Sequence, residues 1–193
     1  MAEIKSTMEM VLARAEKLAA AADSTDHEEL LRKGMRIAAD FLNDKKIDLA
    51  EELEKNKRED QGELRKGILK TLLRNVVLPR DEMLRASSSM ALKAIKDLAD
   101  GNGAVLSICQ ELTQLLDQYN QHKEQTKQQL EDAIRNQLRQ QMAHQDQEDS
   151  LRNINPAMHP QYREELAKIL SNLNAQYNDA MDQRKAAILS QLV

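Results

Sequence analysis

The residues that could do chemistry in this chain are few and scattered. Four histidines, His27, His122, His144 and His159, stand far apart in polar surroundings. A zinc site needs His or Cys ligands at close spacing, and none of the four has such a neighbour. His144 and Glu148 share a helix face at i, i+4. A carboxylate-bridged metal site in a bundle, however, wants Glu-x-x-His motifs on two helices, and the chain has none. The sequence predicts no metal ligand and no cofactor.

Nucleophiles fare no better. Cys109 is the single thiol and lies in phase with Val105, Leu112 and Leu116, which predicts a buried structural cysteine. Ser87, Ser88 and Ser89 stand between Ala86 and Met90 with no Gly-x-Ser-x-Gly elbow, and are read as small residues that let helices approach. Gly62 and Gly67 are followed by Glu63 and Ile68, not by the Lys-Ser/Thr of a phosphate-binding loop. Glu51, Glu52, Glu54, Glu164 and Glu165 fall on charged helix surfaces, without the burial that tunes a general acid or base. No catalytic residue emerges, and the expectation is a protein that is not an enzyme.

The elements that carry these residues are helical. Of 193 residues, 41% are apolar and only 2% aromatic, so packing must rely on Leu, Ile, Met and Ala, which favour helices over strands. Five glycines and three prolines predict few, long elements. The net charge of −4, with 19 Lys/Arg balanced by 20 Asp/Glu in residues 1–100, offers no basic patch for nucleic acid. No apolar run approaches the roughly 18 residues of a membrane span. The lone cysteine suits a reducing compartment, and a cytoplasmic protein is expected.

The apolar spacing predicts an all-α chain in two parts. Ile4, Met8, Val11, Leu12, Ala15 and Leu18 mark a helix over about 3–22. Thr25 with Glu28 forms a capping box for a second helix carrying Leu30, Met35, Ala38 and Phe41, interrupted by residues 43–46. Asp48 with Glu51 and Asp60 with Glu63 signal two more starts. The densest stripe, Leu64, Ile68, Leu69, Leu72, Leu73, Val76 and Val77, ends before Pro79 and is the expected centre of the core. Another helix carries Ala91, Ala94, Ile95 and Leu98 and stops at Asp100-Gly101-Asn102-Gly103. Residues 1–100 are read as a compact bundle.

Composition then changes: one glutamine occurs in residues 1–100 and sixteen in 101–193, which places a boundary at the glycines. Residues 104–193 are read as a long antiparallel hairpin that turns near 150–160, with a first helix to about Asp149 and a return helix over 162–192. In the return helix Leu166, Tyr177 and Ile188 are eleven apart, as are Leu170, Met181 and Leu192. Such a repeat gives about 3.67 residues per turn and a nearly straight seam. The outgoing helix repeats it weakly in Ile108, Tyr119 and Leu130, and between Asp117 and Gln129 Tyr119 is its one large apolar residue. Leu166, Leu170, Leu173, Tyr177, Met181, Ile188, Leu192 and Tyr119 are the candidate contact residues for a protein partner or a second copy.

The segment from Phe41 to Leu53, the segment Val76-Val77-Leu78-Pro79-Arg80-Asp81-Glu82 and the opening Met1-Ala2-Glu3-Ile4-Lys5-Ser6 resemble an uncharacterised family of bacterial helical proteins. That resemblance covers most of the chain and implies no activity. The paired helices also look somewhat like peripheral-stalk subunits of rotary ATPases, in shape and repeat alone. The expected function is a structural or adaptor role through helix-mediated contact. A stalk-like part of a membrane-associated machine is the alternative, ahead of a metal-binding bundle or enzyme.

Overall fold

The computed structural model describes residues 26–43, 47–143 and 160–192. They form an all-α protein, with no strand among the described residues. The helix expected over 3–22, the Thr25 cap, the interruption at 44–46 and the turn at 150–159 lie outside them. The helices are α1 (26–43), α2 (Leu49–Glu54), α3 (Gln61–Asn75), α4 (Glu82–Leu98), α5 (Gly103–Ala143) and α6 (Pro160–Leu192).

Local chemistry explains most of the starts. Asp48 is extended and its carboxylate accepts from the Ala50 and Glu51 amides at 2.9 and 3.2 Å, as its sequence signal predicts. Asp81 caps α4 in the same way, through the Leu84 amide at 2.9 Å. Asp60 departs from expectation: its own backbone is already helical and its carboxylate makes no cap bond. A capping side chain acts from an extended residue. Between α4 and α5 the left-handed conformation falls on Asp100 and Gly101, and Asn102 then caps α5 through the Ala104 and Val105 amides.

The stripe on α3 is the centre of the core, with Leu64, Ile68, Leu69 and Leu72 fully buried. Helix α3 nevertheless ends at Asn75, earlier than Pro79 requires, and Val76 is extended. The cause is Ser88. Its buried hydroxyl accepts from the Val77 amide at 3.1 Å and can donate to the Asn75 or Val77 carbonyl, at 3.1 and 3.2 Å. The middle serine of the triplet is therefore a side-chain substitute for the missing helical bonds of this corner, which keeps buried backbone polar groups paired. It is more than a small spacer.

Two glycines set the closest helix contact. A Cβ on Gly34 of α1 would collide with the Leu64 carbonyl of α3, and one on Gly67 of α3 with the Leu31 carbonyl of α1. Each glycine thus seats the other helix's backbone, which no side chain permits.

The core does not stop at the boundary read from the glycines. Val105, Cys109, Leu112 and Leu116 of α5, with Met181 and Ile188 of α6, belong to the same buried cluster as α3 and α4. The first turns of the outgoing helix and the last turns of the return helix are thus walls of the bundle, and the core of α3 and α4 is closed by the root of the hairpin.

Gly67→Ala is expected to destabilise the protein by about 2 kcal/mol or more, because a backbone carbonyl must move to admit the methyl group. Gly62→Ala, at a position open to solvent, should be neutral or mildly stabilising through helix propensity. Urea denaturation followed by circular dichroism measures both.

Candidate functional site

The isolated chemical candidates resolve first. Cys109 is fully buried, and burial pushes its thiol up from its ordinary range, only partly opposed by the charge of Lys96. That is the setting of a packing residue, since the thiolate is the reactive form. His27 lies at the surface, 4.0 Å from Glu63. His144, Glu148 and His159 fall outside the described residues. No group of three His, Cys, Asp or Glu side chains among the described residues is placed to hold a metal ion. A groove of about 780 Å³ beside α1 is lined by Arg32, Lys33 and Lys57 but also by Glu29, Glu59 and Asp60, so it favours neither sign of ligand.

The seam between α5 and α6 is where unlike side chains are brought together on purpose of register. At its root the contact is apolar, built from Val105, Leu112, Met181 and Ile188. Polar bonds cross from helix to helix as well, one beside the apolar root and three further out. Arg184 Nε donates to Glu111 Oε2 at 2.9 Å, the Tyr119 hydroxyl donates to Asn174 Oδ1 at 2.8 Å, and the Tyr162 hydroxyl donates to Glu131 Oε1 at 3.2 Å. The Tyr177 hydroxyl meets His122 Nδ1 at 2.6 Å. From Glu111–Arg184 at one end to Glu131–Tyr162 at the other the α6 number falls as the α5 number rises, which is the antiparallel hairpin expected.

All three tyrosines of the protein sit in this seam, and each hydroxyl bonds to the opposite helix. Tyr119 and Tyr177 also meet edge to face, with ring centroids 5.4 Å apart and planes at 70°. Such contacts add about 0.5–1.5 kcal/mol beyond area burial. Lys123 Nζ stands over the Tyr119 ring, 6.0 Å from its centroid. The span that looks too polar to pack is therefore held by one aromatic pair and its hydrogen-bond partners.

Of the eight candidate contact residues, Tyr119, Tyr177, Met181 and Ile188 are buried by the chain itself. Leu166, Leu170, Leu173 and Leu192 are half-buried. The first four are seam and core residues in this structure, and only the leucines retain surface for a partner. Among the described residues Met83 and Leu106 are the large apolar side chains left exposed. Both eleven-residue rows face inward: in one Tyr177 and Ile188 are buried and Leu166 half-buried, and in the other Met181 is buried and Leu170 and Leu192 half-buried.

His122, Glu131, Asn174 and the Glu111–Arg184 pair escaped the sequence reading. A signal for two of them was present. His122 is three residues after Tyr119 and Asn174 three before Tyr177, and side chains three apart share a helix face.

Residues 50–190 match a family of unknown function, DUF6657, and the chain belongs to that family. The matched stretch starts within α2 and ends two residues before the end of α6, so it contains every cross-helix bond described above. No curated protein and no solved structure matches the chain.

Two expected outcomes follow from the tyrosines. Tyr119→Phe and Asn174→Ala should each cost about 1 kcal/mol and couple in a double-mutant cycle, since both remove one hydrogen bond. Burial also holds the Tyr119 and Tyr177 hydroxyls above the ordinary tyrosine range, and at Tyr162 burial acts with the bond to Glu131. The folded state then keeps protons that the unfolded chain releases near pH ~10. This stabilisation is complete below that pH and is lost as pH rises through the folded values. Tyrosinate absorbance should therefore appear only above the ordinary midpoint, with helicity falling alongside it.

Proposed function

We propose that this member of the DUF6657 family is a non-enzymatic structural or adaptor protein that works through helix-mediated contact along its hairpin. The observation that carries the reading is where the bundle ends. Every buried residue that α5 or α6 shares with the head core lies no further out than Leu116 or Met181. Beyond the Tyr119–Tyr177 pair, residues 120–143 of α5 extend about 36 Å, and among the described residues α6 runs beside them as far as its start at Pro160. A folded chain that places so much helix outside its own core presents an arm, and an arm of this composition has contact and spacing to offer.

No helix among the described residues is long and apolar enough to cross a membrane. A cytoplasmic setting is part of the proposal, supported by a free cysteine that is buried and has no second cysteine to pair with. The stalk-like reading draws on one observation of its own, the eleven-residue rows along α6, which suit a straight and stiff pair of helices.

Cross-linking in the native cell followed by mass spectrometry tests the reading. Links to other molecules should concentrate on Lys123, Lys127 and Lys168 of the hairpin. Links confined to head lysines such as Lys55, Lys66 and Lys93 would contradict it.

A further inference from the structure

The geometry points to a binding site for a phosphate dianion, free or as a small phosphomonoester, in the groove between α4 and the first turns of α5. This goes beyond the proposed contact role of the hairpin and does not rest on it.

Helices α4 and α5 pack on each other and leave a groove of about 370 Å³ between them. That is within the ~300–1,000 Å³ of small-molecule sites. Its floor is buried and apolar, through Leu92 and Leu116. One wall is cationic: Arg85, Lys93 and Lys96 all line it from α4. They share one face because Arg85 and Lys96 are eleven residues apart, close to three full turns. The opposite wall is α5, which contributes Thr113, Asp117 and Asn120. The Thr113 hydroxyl already donates to the Cys109 carbonyl at 2.9 Å, which leaves charge as the main thing the groove offers a ligand.

The sign of that charge is selected. Three cations face one carboxylate, in a chain whose net charge is −4. The carboxylate is engaged, since Asp117 Oδ1 lies 3.7 Å from Arg85 Nη2. Lys93 and Lys96 form no ion pair among the described residues, and their spacing breaks the habit of this protein. Lys55, Lys66, Lys127, Lys168 and Lys185 each meet a carboxylate three residues earlier on their helix. Three residues before Lys96 stands Lys93, and like charges at that spacing repel. Lys96 is also half-buried, and its charge is felt at the buried Cys109 thiol. A bound anion relieves both costs. The excess of two positive charges in the groove matches one phosphate monoester, which carries about −1.5 to −2 at neutral pH and three strong acceptor oxygens. A single carboxylate would leave one cation unmatched. A long polyanion would run into Glu82 and Asp97, which bound the cationic run on α4.

Isothermal titration calorimetry on the full-length protein tests this, with inorganic phosphate and glycerol 3-phosphate as probes in a chloride background of constant ionic strength. The expected result is saturable binding of one equivalent with a dissociation constant of about 1 mM or below. Lys93→Gln/Lys96→Gln should weaken it at least about tenfold, with helicity by circular dichroism unchanged. Lys55→Gln/Lys168→Gln removes the same charge from exposed positions elsewhere and should leave the affinity as it was. Lys93→Gln alone, at an exposed position, serves where the double variant does not fold and should also weaken binding. Equal affinity for the two probes assigns the site to the free ion, and tighter binding of glycerol 3-phosphate assigns it to an ester. Absence of saturation by about 10 mM of either probe overturns the inference. Equal losses in the two double variants overturn it as well, because the attraction would then be diffuse.

Discussion

The burial of Val105, Cys109, Leu112 and Leu116 together with Met181 and Ile188 against α3 and α4 is the contact on which the molecule depends. A pair of long helices with a polar middle has too little apolar area to hold itself in place through the hydrophobic effect. Seating one end of the pair in a close-packed core supplies that area, and helix continuity carries the placement outward. The same contact completes the head. Without the hairpin root, α4, which packs on α5, and α3, which packs on α6, would lose a wall of their core.

Past the root, the balance of forces changes from burial to register. Each tyrosine hydroxyl bond contributes about 1 kcal/mol, too little to fold a hairpin but enough to choose among alignments that differ by a turn. Tyr119 with Asn174 and Tyr177 with His122 form two adjacent bonds around one edge-to-face aromatic pair. A shift of either helix would leave those polar groups unpaired inside a half-buried seam, and an unsatisfied group costs more than a made bond returns. A straight seam with a fixed alignment is a suitable basis for a contact arm, whose faces must point in defined directions.

Much of this architecture is legible in the residues. The α3 stripe, the Asp48 cap, the left-handed stop at Gly101 and the buried Cys109 all follow from local spacing and propensity. What escapes depends on long-range geometry. Gly34 carries no local signal and Gly67 only the lack of a phosphate-loop motif, because the value of each lies in the other helix's backbone, at Leu64 and Leu31. Their presence inside helices of a chain with only five glycines was the available hint. Ser88 reads as a small residue because its partners lie in the preceding corner. The partners of the tyrosine hydroxyls could not be assigned until the alignment of α5 with α6 was known, and that alignment is partly what those bonds determine. For the same reason the apolar rows of α6 look like a surface awaiting a partner, although Tyr177, Met181 and Ile188, and Tyr119 opposite them on α5, are covered by the chain itself.

The proposed contact role requires a head-rooted hairpin that stands out from the core as an arm. Small-angle X-ray scattering of the purified protein tests it most directly. The expected largest dimension exceeds the ~60 Å length of α5 alone, and the expected radius of gyration lies well above the ~16 Å of a compact chain of this size. A radius of gyration near ~16 Å, with a bell-shaped distance distribution, would contradict it.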